Sequence, residues 1–168
     1  MAVVASAREG LRAAPRATLL QLRAPDLTVR ELEANAVELV AVSPVPVLIS
    51  SRCDVALACG AAGVNLPERD ISVQDARELL GQRLIGRSVH TMQSAVEAEL
   101  AGADFVIFGP VWASDSHKDA RPAGLEALAS VVRSVRIPVI AIGGVTQERI
   151  AECLDSGAAG YAAIRLFQ

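Results

Sequence analysis

The chain has 168 residues, 52% of them apolar and only 3% aromatic, with a formal net charge of −3. That length predicts one domain over residues 1–168, with an ample core packed from Ala, Val and Leu rather than rings. The mild acidity, without any basic block, excludes nucleic acid as an expected partner, and no apolar run is long enough to span a bilayer. No signal peptide is apparent, so the expected location is cytoplasmic. Cys53, Cys59 and Cys153 form an odd set without metal-ligand spacing, which reads as reduced thiols in a core.

In chain order, residues 2–14 read as a helix, with 2–5 at most a strand stub. Apolar, β-branched runs then follow at 18–23, 45–50, 63–67, 84–90, 105–112, 139–143 and 161–167. Helical segments separate them at 29–42, 52–59, 73–80, 92–100, 124–135 and 147–155, and the charges on the first and last of these read as solvated faces. Thr28, Ser72, Thr91 and Thr146 are placed as N-caps, while Gly60, Gly81, Gly102 and Gly157 mark helix ends that need a positive φ. Strands apolar on both faces that alternate with helices predict a parallel sheet covered on both sides.

An internal echo sharpens the fold. Val45-Pro46-Val47 returns as Ile137-Pro138-Val139, and Gly60-Ala61-Ala62-Gly63 as Gly157-Ala158-Ala159-Gly160, displaced by 92 (Pro46 to Pro138) and 97 (Gly60 to Gly157) residues. At roughly 24 residues per β/α unit each displacement is about four units, half of a (β/α)8 barrel. The expected architecture is an α/β, TIM-type (β/α)8 barrel lacking a regular first strand and the last helix. A missing strand leaves two open edges, so a homodimer is expected.

Pro138-Val139-Ile140-Ala141-Ile142-Gly143-Gly144-Val145 carries the most functional information. A buried strand that ends in two glycines and opens a helix lets backbone N–H groups approach a phosphate. Gly143, Gly144 and the neighbouring strand end at Ile164 and Arg165 are therefore the candidate phosphate site, as in a barrel's last two β/α loops. Trp112, the one tryptophan, reads as packing on the lid side of its strand.

From Gln21-Leu22-Arg23 onward the chain resembles the thiamine phosphate synthase/TenI family. The resemblance rests on Gln21-Leu22-Arg23, Ile85-Gly86-Arg87-Ser88-Val89-His90, Gly109-Pro110-Val111, Gly124-Leu125, Ala141-Ile142-Gly143-Gly144 and Gly157-Ala158-Ala159-Gly160, in that order. It implies a pocket with Gln21, Arg23, Ser88, Ser114, Ser116 and Gly124, and a small phosphorylated heteroaromatic ligand. The synthase reaction that it implies joins a pyrimidine diphosphate to a thiazole phosphate with Mg²⁺ and releases pyrophosphate. Against the synthase pattern, Ser50-Ser51 stands where Asn-Asp is usual and Pro25 where a Lys is usual. Asp70 is then the one weak candidate metal ligand, and no metal or cofactor is expected unless the synthase reaction is retained. Gly86 to His90 and Leu66-Pro67 are spelled as in the TenI branch, which implies a thiazole tautomerase moving a proton on a carboxythiazole phosphate. That branch's catalytic His follows the Gly ending the sixth strand, and Pro110 is found there. His90 and His117 are the remaining candidates for an acid/base of near-neutral pKa; each also reads plainly, His90 as a junction hydrogen bonder and His117 as a solvated loop residue. A non-catalytic phosphate-ligand binding protein is the third reading.

Overall fold

A computed structural model describes residues 1–114 and 121–168. Eight parallel strands follow one another in chain order around a single sheet. They are β1 (Ala2–Val4), β2 (Leu20–Leu22), β3 (Val47–Ser50), β4 (Gly63–Leu66), β5 (Leu84–Val89), β6 (Phe105–Phe108), β7 (Val139–Ile142) and β8 (Gly160–Ala162). The helices between them are α1 (Ala7–Ala13), α2 (Val29–Val42), α3 (Cys53–Ala58), α4 (Val73–Leu80), α5 (Met92–Leu100), α6 (Gly124–Ser134) and α7 (Ile150–Asp155). Among the described residues, no helix is long and apolar enough to cross a membrane.

The expected missing strand is present. Ala2–Val4 pairs with β2 through Ala2–Leu20, Val3–Gln21 and Val4–Leu22, and only the segment from Ala7 is helical. On its other side, Ala2 bridges Ala163, the Val3 N–H donates to the Ala163 carbonyl at 3.0 Å and the Ala163 N–H to that of Met1 at 3.2 Å. These bonds close the barrel, so the open edges invoked for a homodimer do not exist. The last strand is also shorter than read: β8 ends at Ala162 and Arg165–Phe167 forms a 3-10 turn.

The half-barrel echo is physical. Just ahead of β3 and β7, four units apart, Pro46 and Pro138 each accept a bond from the preceding strand, from Leu20 and Val106, both at 3.0 Å. Ala62 and Ala159, ahead of β4 and β8, each donate to the residue after that proline, Val47 and Val139, both at 2.9 Å. Helix caps fall where the sequence puts them: Thr28 and Thr91 make capping boxes and Ser72 accepts the Asp75 N–H. Thr146 precedes a short 3-10 turn and caps nothing with its side chain.

Strand alternation sorts the core into two layers. Leu20, Leu22, Ile49, Val64, Ile85, Val106 and Ala141 face the helices. Val3, Leu48, Phe105, Ile107 and Ala162 fill the barrel interior. Cys53 and Cys153 are buried, Cys59 is half-buried, all three are unpaired, and burial pushes each thiol pKa up. Phe105 occupies the floor because Gly86 beside it has no side chain: a Cβ there would overlap the Phe105 ring and come within 2.9 Å of Asn65 Oδ1. Gly86→Ala should therefore cost about 1–3 kcal/mol in urea unfolding, and adding Phe105→Leu should return part of it. An unchanged urea midpoint in Gly86→Ala would refute this packing.

Candidate functional site at the C-terminal mouth of the barrel

Every strand from β2 to β8 delivers its carboxyl end, or the residue following it, to one cavity of about 730 Å³, through Arg23, Ser50, Pro67, His90, Gly109, Gly143 and Ala162. That volume suits a small organic ligand. Its floor is apolar, from Val3, Ile107 and Ile142, and its middle is ringed by Gln21, Asn65 and Ser88.

Gln21 and Asn65 are each only 3% exposed, the two buried polar residues among those described. Asn65 donates through Nδ2 to Ser88 Oγ at 3.0 Å, which leaves its Oδ1 buried without a partner. An unsatisfied buried acceptor costs free energy until a ligand donor or a water meets it. Ser114 Oγ, also in the cavity wall, is buried and unpartnered among the described residues.

The Gly143-Gly144 turn closes one side. Both glycines have positive φ, +94° and +66°. A Cβ on Gly143 would sit 2.5 Å from that of Pro110, and one on Gly144 would sit 2.6 Å from the Ala113 carbonyl oxygen and 2.7 Å from Trp112 Cβ. The β6 and β7 loops are zipped by Val111 N–H to the Ile142 carbonyl at 2.9 Å and Trp112 N–H to the Gly143 carbonyl at 3.0 Å. Arg149 donates to the Gly144 carbonyl at 2.7 Å. Both glycine carbonyls are thus turned onto donors, while the Gly144 and Val145 N–H groups donate to no acceptor among the described residues. Such a turn suits an anion.

Across the cavity, His90 Nδ1 is hydrogen-bonded to the Gly109 carbonyl. A carbonyl only accepts, so Nδ1 carries the proton of the neutral ring and Nε2 keeps its lone pair. Nε2 lies 4.0 Å from Glu68 Oε2, and both residues line the cavity. The Glu68 loop is held from behind by Arg87, which donates to the carbonyls of Glu68 at 2.8 Å and Ile71 at 2.7 Å.

The structure brings together most of the residues singled out from sequence: Gln21, Arg23, Ser88, His90, Ser114, Gly143, Gly144, Ile164 and Arg165 all line this cavity. Gly124 stands behind it, its N–H on the Val111 carbonyl at 3.0 Å, and is not in the wall. Ser116 and His117 lie outside the described residues. Sequence reasoning missed Asn65, Glu68 and Arg149. Asn65 was signalled as a polar residue at an inward position of an apolar strand. Its charge pattern places Arg149 on a solvated helix face, yet it turns inward over Trp112, its guanidinium carbon 5.1 Å from the ring centroid.

Asp70 stays outside the wall. Its Oδ2 accepts the Ser51 hydroxyl at 2.5 Å and its Oδ1 the Ile71 N–H at 2.8 Å. Ser51 is held at φ +70°, unusual for a residue with a side chain. A hydroxyl therefore faces Asp70 where a second carboxylate would complete a pair, and no group of three or more metal-ligating side chains occurs among the described residues. A single carboxylate at this position would hold Mg²⁺ only together with a substrate's phosphates.

The family model described as thiamine monophosphate synthase matches residues 2–167. The chain belongs to that family. The thiamine-phosphate synthase of Pyrococcus furiosus is 38% identical over 164 residues, 96% of this chain and 78% of that protein. The synthase of Chloroflexus aurantiacus is 37% identical over 152 residues, 88% of this chain and 70% of that protein. The solved structure of thiamine phosphate pyrophosphorylase from Pyrococcus furiosus superposes with a TM-score of 0.86 at 35% identity, over 97% of this chain and 83% of that one. These relatives carry the synthase name rather than that of the TenI branch.

The Ser51–Asp70 contact makes a prediction for this thiamine monophosphate synthase family member. Without a diphosphate present, the wild type should leave the EPR spectrum of free Mn²⁺ unchanged, and Ser51→Asp should quench it by restoring a carboxylate pair. Equal Mn²⁺ binding by both proteins would show that Asp70 needs no partner.

Proposed function

We propose that the cavity binds a thiazole phosphate, with its phosphate on the Gly143-Gly144 turn, and that the chain condenses it with a pyrimidine diphosphate to give thiamine phosphate. The observation that carries this reading is the turn itself: both carbonyls engaged, two N–H groups unengaged, on the wall of a cavity of small-molecule size. The names of the relatives support the second substrate.

In this reading the bond between the pyrimidine methylene carbon and the diphosphate oxygen breaks and the electron pair leaves with pyrophosphate. The thiazole nitrogen donates its lone pair to that carbon, forming the new C–N bond. The chain contributes position and charge. The Gly143-Gly144 turn anchors the thiazole by its phosphate, and Gln21, Asn65 and Ser88 give hydrogen bonds to a ring deep in the barrel. Arg23, whose guanidinium makes no hydrogen bond among the described residues, faces negative charge gathering on the leaving group. No step is assigned to Mg²⁺.

A second reading, a thiazole tautomerase, is favoured by His90. An imidazole with Nδ1–H fixed on a carbonyl and Nε2 open beside a carboxylate is arranged to take a proton from a ring carbon and return it. Glu68 would stabilise the imidazolium in between.

One pair of assays separates the readings. With both substrates, thiamine phosphate should form, and Arg23→Ala should slow it while His90→Ala leaves it nearly intact. With carboxythiazole phosphate alone, proton NMR should show isomerisation only if the second reading holds, and His90→Ala should then lower its rate by about 100-fold or more. Absence of thiamine phosphate under all conditions would sink the first reading. Isomerisation unaffected by His90→Ala would sink the role given to His90.

A further inference from the structure

Arg149 is half-buried on the cavity wall beside the Gly143-Gly144 turn. One N–H of its guanidinium donates to the Gly144 carbonyl at 2.7 Å and its plane lies over Trp112. A guanidinium carries five N–H donors in a rigid fork. The Gly144 contact is its one hydrogen bond among the described residues. A carbonyl tether and an aromatic platform remove most of the rotamer freedom that a long cation would lose on binding. The charge is therefore held in advance on the cavity wall beside the Gly143-Gly144 turn.

From this we infer that Arg149 is a phosphate-binding residue of this cavity, and that Trp112 is its positioning residue. The inference rests on the anion reading of the turn and adds to it a side chain that discriminates phosphate from its dephosphorylated counterpart. A backbone turn alone offers neutral dipoles. A guanidinium adds full charge and two parallel donors matched to phosphate oxygens. The same residue also explains why the Gly144 carbonyl does not repel an anion, since Arg149 covers it.

The test uses three probes, inorganic phosphate, the thiazole phosphate and the thiazole alcohol without phosphate, against wild type, Arg149→Gln, Arg149→Lys and Trp112→Leu. Binding is followed by calorimetry and, where the only tryptophan is retained, by its fluorescence. Arg149→Gln should weaken both phosphate-bearing probes by about tenfold or more while leaving the alcohol unchanged. Arg149→Lys should keep part of the affinity, and Trp112→Leu should weaken the phosphate probes less than Arg149→Gln does. Equal phosphate affinity in wild type and Arg149→Gln, with only a lower Tm in the variant, would overturn the inference and leave Arg149 as a brace of the loop. Failure of the wild type to bind any phosphate probe would overturn it as well. If wild type binds inorganic phosphate but not the thiazole phosphate, the thiazole reading falls alone, and Arg149 is judged on the inorganic ion.

Discussion

The short bridge between the first and last strands is the constraint on which the rest depends. Strands of three residues each, β1 and β8 meet through the Ala2–Ala163 bridge, the two bonds that flank it and a third from the Met1 amino group to the Tyr161 carbonyl at 2.7 Å. Without that seam the sheet would have two unpaired edges and the cavity would lack a wall, because Val3, Gln21 and Ile164 line it from either side of the joint. With it, every strand end points to one mouth, and the chemistry is set by whichever residues happen to end each strand.

The mouth has two electrostatically different sides. Around β7 and β8, backbone N–H groups and arginines favour negative charge, and the glycines there are irreplaceable for two separate reasons. Their φ is positive, and the loop after β6 already occupies the space where a Cβ would stand. A substitution at Gly144 thus disturbs the loop whether or not a ligand binds, which makes Arg149 the more informative position. Around β4 and β5, Glu68 and His90 make a side suited to proton transfer. Between them sit Asn65 and Ser88, whose bond leaves a buried amide oxygen without a partner. Arg77 does a different job at the opposite end, joining the carbonyls of Gly81, Arg83 and Gly102 to the Asp104 carboxylate. That cluster braces the barrel far from any ligand.

Much of this was legible in the sequence because it was written locally. Caps and stop glycines gave helix limits, β-branched runs gave strands, and the repeated proline and glycine phrases gave the half-barrel register. What escaped was set by distant partners. Residues 2–4 are strand only because β2 and β8 flank them; their composition alone continues into the helix that starts at Ala7. The composition of Ile164, Leu166 and Phe167 is strand-like, yet Leu166 and Phe167 lie in a 3-10 turn that Ile164 precedes. Arg149 is hidden for a similar reason: beside Glu148 it resembles a solvated charge, and only the fold brings Trp112 beneath it. The Ser51–Asp70 contact lay 19 residues apart in the chain and became readable only once β3 and β4 were side by side. The TenI spelling of the fifth strand named a subgroup that the relatives do not support, since local wording there reports packing as much as chemistry.

The central claim is that a phosphate docks on the turn after β7. A ¹H–¹⁵N correlation spectrum recorded during titration with the thiazole phosphate tests it residue by residue. Saturable shifts at the Gly144, Val145 and Ile164 amides, with Gly81 and Gly102 at the opposite end unmoved, are the predicted result. Saturable shifts confined to other parts of the chain, or none at all, would contradict it.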